Sequence, residues 1–164
     1  MTSRHLAISL AATALATILV VDTSAHAAEA WSGAAALCQS ATPSHEGALR
    51  KRPLALQNEG TATAFVTCNL VNVAAATELT VYVSSMTSGP KTLSCTAVAG
   101  TTAGSASYSA HTVSFTGVSI EPAAMSWFPI HFGIGGNVFP SKLVSLSCAL
   151  PPGTGIHHLI LSTQ

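Results

Sequence analysis

The chain is 164 residues long with zero formal net charge, and only 7% of it is Asp, Glu, Lys or Arg, against about a quarter in ordinary globular domains. So few bases exclude the cationic stripe that nucleic-acid binding requires, and so few carboxylates argue against a clustered calcium site. Ser and Thr supply most of the polarity, which makes a weakly charged, hydroxyl-rich surface open to self-association or contact with sugars.

The first 27 residues have the layout of a secretory signal peptide. Arg4 and His5 precede a charge-free, largely apolar run from Leu6 to Val21, and Ala25-His26-Ala27 offers a small-x-small cleavage site. Cleavage there leaves residues 28–164 as a single domain with no second apolar stretch near the roughly 20 residues needed to span a bilayer. A lipid anchor on Cys38 is disfavoured by the bulky Leu37 before it, where a bacterial lipobox wants a small residue. The Ala-rich signal tilts the source toward a bacterium, and the destination is the periplasm or the exterior.

An exported chain meets an oxidising environment, so Cys38, Cys68, Cys95 and Cys148 are expected to form two disulfides. The expected pairing is Cys38–Cys68 with Cys95–Cys148. The first ties the N-terminal arm to a core strand, and the second joins two inward-facing strand positions.

Ala28 to Leu37 reads as an arm carrying Trp31, and Gln39 to Lys51 as loop. Strands follow. Leu54 to Gln57 ends at the turn signal Asn58-Glu59-Gly60. In Ala64 to Val71, the residues Val66, Cys68 and Leu70 share a face. Leu79, Val81 and Val83 alternate with Thr80, Tyr82 and Ser84, and Leu93, Cys95 and Ala97 with Thr92, Ser94 and Thr96. Val73 to Thr77 has room for one helical turn, and Gly100 to Ser105 reads as a loop. Val113 and Phe115 mark another strand. In Ser126 to Phe132, the residues Phe128, Ile130 and Phe132 share a face, with Pro129 arguing for an edge. Gly133 to Gly136 is a connector lacking the Lys-Ser/Thr of a phosphate loop. Val144, Leu146, Cys148 and Leu150 alternate, and Pro151-Pro152-Gly153 turns the chain into a last strand, Ile156 to Ser162. The expected fold is therefore all-β: a single-domain antiparallel β-sandwich of about eight short strands and two disulfides.

Catalytic signatures are sparse. No Gly-x-Ser-x-Gly elbow occurs, and beyond residue 27 there is no Asp, so a triad would need Glu, as in Ser114, His111 and Glu121. Paired carboxylates for glycoside cleavage would have to come from scattered residues such as Glu59 and Glu121. His157 and His158, adjacent on a strand, point to opposite faces and share no metal without a bulge, although one of them could join His111 or His131 across strands. No bound metal and no cofactor are expected. Arg50-Lys51-Arg52, the one basic cluster, reads as a solvated loop with an anionic polymer as its alternative partner. Exposed rings beside hydroxyls suit sugars. Tyr82 and Tyr108 have Ser and Thr neighbours, and Trp127 is out of phase with Phe128 and Ile130, so these three form the candidate ligand platform.

The sequence thus points to a secreted, non-enzymatic β-sandwich that binds or builds at the cell envelope or outside the cell. Its candidate partners are a glycan or another envelope protein, and it is expected to be a monomer. The first alternative is a fibre or coat subunit assembled by strand addition. The arm offers Trp31, small residues and Leu37, which makes a poor donor strand. A small secreted hydrolase is the second alternative.

Overall fold

A computed structural model describes residues 29–71, 76–100, 106–119, 121–133, 135–139 and 143–163. The expected signal peptide, residues 1–27, lies outside them, as do 73–75 of the expected helical turn and 101–105 of the expected loop.

The described residues form eleven strands rather than eight: β1 (Glu29–Gly33), β2 (Cys38–Ser40), β3 (Leu49–Arg52), β4 (Ala55–Asn58), β5 (Ala64–Val71), β6 (Ala76–Ser85), β7 (Lys91–Ala99), β8 (Ser107–Phe115), β9 (Ala123–Trp127), β10 (Leu143–Leu150) and β11 (Thr154–Thr163). The three additional strands all fall within residues 29–52, where loop and arm were expected. Single helical turns α1 (Ala34–Leu37) and α2 (Pro43–Glu46) separate them. Such short strands carry too few apolar residues to show alternation. Backbone pairing to a longer neighbour, β11 for β1 and β5 for β2, holds them in place. The basic run Arg50-Lys51-Arg52 is strand, not loop. It is exposed in β3 at the edge of its sheet, where charge discourages pairing with another chain.

Two antiparallel sheets result. One has the order β3-β4-β11-β6-β9, with β1 also on β11, and the other β2-β5-β10-β7-β8. The alternation seen in the sequence supplies the core between them. Leu79, Val81 and Val83 of β6 and Leu159 and Leu161 of β11 are at most 2% exposed, and so are Val66, Cys68, Leu93, Cys95, Leu146 and Cys148 of the facing sheet.

Both disulfides form as expected, Cys38–Cys68 and Cys95–Cys148. Each joins residues directly opposite one another in neighbouring strands of the second sheet, β2 with β5 and β7 with β10. They staple one layer and do not bridge the two.

The expected strand Ser126 to Phe132 is divided. It pairs only as far as Trp127, and Pro129–Phe132 is a 3₁₀ turn. Pro129 has no N–H to give a ladder, and its fixed φ suits the first position of a helical turn.

Candidate functional site

The expected platform of Trp127, Tyr82 and Tyr108 does not assemble. Trp127 is completely buried. Its phase follows Met125, two residues back in β9 and also buried, and not Phe128 or Ile130 beyond the strand end. The indole N–H donates to the Ser109 carbonyl at 2.9 Å, sewing β9 of one sheet to β8 of the other. Tyr108 is 63% exposed on β8, where it alternates with inward Ser109 and His111 on the outer face of the second sheet. Tyr82 lies on the outer face of the first sheet, between inward Val81 and Val83.

Tyr82 instead belongs to a row of three stacked rings that crosses three adjacent strands. His158 of β11 stacks on Tyr82 of β6 with centroids 4.3 Å apart. Trp31 of β1 stacks on the other side of His158 at 5.1 Å. Both spacings match the distance between neighbouring strands. Trp31 is 62% exposed, and its indole N–H donates to Glu29 Oε2 at 2.9 Å. Its second face meets no other ring among the described residues.

A β-bulge makes this row. Ile156 pairs with Val83 and Leu159 with Val81, so His157 and His158 together oppose the single residue Tyr82. Adjacent histidines that alternation sends to opposite faces therefore both reach the outer face. His157 Nε2 lies 2.6 Å from Ser84 Oγ. Its pKa is lowered by burial and next by the neighbouring charge of His158, against a backbone hydrogen bond to Leu54 that raises it. Burial also lowers the pKa of His158. Both shifts favour the neutral ring, the form that stacks without carrying charge into a partly buried site. Polar groups surround the row. Glu78 Oε1 accepts the Thr80 hydroxyl at 2.7 Å, and Thr80 Oγ1 also lies 2.7 Å from Ser126 Oγ on the neighbouring strand.

His111 and His131 meet each other and neither His157 nor His158. Their rings are edge to face at 4.9 Å, and His111 stacks on Trp127 at 4.8 Å. His131 Nδ1 accepts the Phe128 N–H at 3.2 Å, which occupies that nitrogen's lone pair. Among the described residues no group of three or more His, Cys, Asp or Glu side chains is placed to hold a metal.

The drawn triad also comes apart. His111 faces inward on β8, while Ser114, three residues on, faces outward with its Oγ 3.1 Å from Thr92 Oγ1. Glu59 is taken up by an ion pair with Arg52.

No protein-family model matches the chain, and no curated protein matches it. Among solved structures it is similar to one described as TmCBM61 in complex with beta-1,4-galactotriose, with 8% sequence identity, a TM-score of 0.38 and coverage of 82% of this chain and 83% of that one. At that degree of likeness neither ligand nor class transfers. Trp31 and His158 are the candidate-site residues that sequence reasoning did not bring together. The aromatic character of Trp31 was visible, but its partner depends on the bulge.

Proposed function

We propose that this chain is an exported, non-catalytic binding protein that takes a neutral glycan on the free face of Trp31. The observation that carries the proposal is the immobilised, exposed indole. One face is packed on His158 and the N–H is tied to Glu29, which leaves the other face open at the sheet edge. A ring fixed before the ligand arrives loses little side-chain entropy on binding. The C–H face of a pyranose covers such a surface, and carboxylate and hydroxyl groups nearby accept and donate hydrogen bonds to its hydroxyls. A neutral ligand agrees with a zero net charge. The protein acts as a monomer: β1 occupies the β11 edge within its own chain, and basic side chains guard the β3 edge.

The test is titration of the purified protein with a panel of soluble neutral oligosaccharides, followed by tryptophan fluorescence and calorimetry. Trp31→Ala is expected to weaken binding roughly 30-fold or more, the loss typical of a central aromatic anchor. Tyr82→Ala acts through the packing of His158 and is expected to cost less. Undiminished binding by Trp31→Ala, or no response from any glycan in the panel, would overturn the proposal.

A further inference from the structure

A second site lies where β2, at the edge of one sheet, and β3, at the edge of the other, line one cavity. A cavity of about 360 Å³ opens there, lined by Gln39, Ser40, Glu46, Leu49, Lys51 and Leu56. That volume falls within the range of small-molecule pockets. Leu56 is 1% exposed and Leu49 9%, so the lining includes well-buried apolar surface. Lys51 follows Leu49 by two residues on β3, which puts both on the same face. Glu46 closes α2 and brings a carboxylate to the same lining.

These two charges do not meet. The one ion pair among the described residues joins Arg52 to Glu59. Among the described residues neither Glu46 nor Lys51 has a hydrogen-bond partner, whereas the Ser40 hydroxyl is committed to the Thr42 carbonyl. The cavity therefore presents a free carboxylate and a free ammonium beside apolar side chains. A singly charged ligand would satisfy one of them and be repelled by the other. A ligand bearing both charges satisfies each.

We propose that this cavity binds a small zwitterion, an α-amino acid or its close chemical kin, with the ligand ammonium on Glu46 and its carboxylate on Lys51. The apolar side chain of the ligand rests on Leu49 and Leu56. This site is separate from the Trp31 platform and does not depend on glycan binding.

The experiment is a titration of the ¹⁵N-labelled protein with L-leucine, N-acetyl-leucine and leucinamide, read as amide shifts in the 46–51 segment. Leucine is expected to bind at least about ten-fold more tightly than either singly charged analogue, each of which forfeits one charge-assisted contact. Glu46→Gln should lower affinity for leucine and raise that for N-acetyl-leucine, whose carboxylate is no longer repelled. Lys51→Gln should lower affinity for leucine and raise that for leucinamide, whose ammonium is no longer repelled. Both side chains are exposed, so neither change threatens the fold, and Trp31→Ala should leave all three affinities unaltered. Absence of saturable shifts, equal binding of leucine and N-acetyl-leucine, or indifference to either substitution would overturn the proposal.

Discussion

Replacing the second disulfide by the pair Cys95→Ala and Cys148→Ala isolates the effect of one loop closure. The two residues oppose each other in β7 and β10 with Cα atoms 4.1 Å apart and a sequence separation of 53. Backbone pairing on either side holds that juxtaposition in the folded state, so the loss falls on the unfolded chain, which gains freedom. For a closed loop of that length the chain-entropy relation gives about 4 kcal/mol, and roughly 1 kcal/mol more follows from the small void left by two buried sulfurs. Set against the 5–15 kcal/mol typical of a whole domain, that is a large share. The Cys38–Cys68 loop, with a separation of 30, should be worth only about 0.5 kcal/mol less, because closure entropy grows with the logarithm of length. Urea unfolding followed by tryptophan fluorescence measures both, since buried Trp127 reports the loss of core packing. With an m-value of about 2 kcal/mol/M, the Cys95/Cys148 variant should unfold roughly 2 M earlier. A shift below about 0.5 M at unchanged m-value would refute the loop-closure reasoning.

Asn58 is fully buried and donates to the carbonyls of Ala62 and Leu150 while accepting from the Gly60 N–H. Asn58→Ala should cost about 3 kcal/mol in the same urea experiment, because it leaves those groups unpaired. Gly153 has φ +72° and packs on the Thr87 side chain, which a Cβ would strike. Gly153→Ala should lower stability by about 2 kcal/mol or more, and an unchanged midpoint would contradict the geometry. Burial lowers the pKa of His111, His157 and His158 below the ordinary 6.5, aided by the His131 charge at His111 and the His158 charge at His157. The unfolded chain then takes up protons more readily, so stability is complete above about pH 6.5 and declines as pH falls from there toward the folded-state values. Urea midpoints should drop between about pH 7.5 and pH 5.5, and a flat profile would count against these assignments. Of the two tryptophans, acrylamide should quench Trp31 and spare Trp127. A Trp31→Phe variant that remains strongly quenchable would place Trp127 at the surface.

The sandwich and its staples were legible in the sequence because strand alternation is written locally. Val66, Cys68 and Leu70 announce their common face without reference to any partner, as do Leu146, Cys148 and Leu150. Once export was expected, and disulfides with it, those in-phase sulfurs had to find partners in the core, Cys68 with Cys38 and Cys148 with Cys95. Residues 29–52 were less legible: Leu49-Arg50-Lys51-Arg52 has one apolar residue, too little to show a period, and it is a strand because β4 pairs with it. Trp127 shows how phase misleads across an element end. Counting from Phe128 and Ile130 placed the indole outside, whereas Met125 within the same strand puts it in the core. The candidate site lay furthest from sequence. Trp31 and Tyr82 were visible as aromatic residues, but the ring that joins them was not. Alternation within β11 sends His157 and His158 to opposite faces, and only the register with β6 sets two of its residues against one. A bulge is a property of a pair of strands, so a single strand's sequence determines the period, and tertiary pairing decides where that period slips.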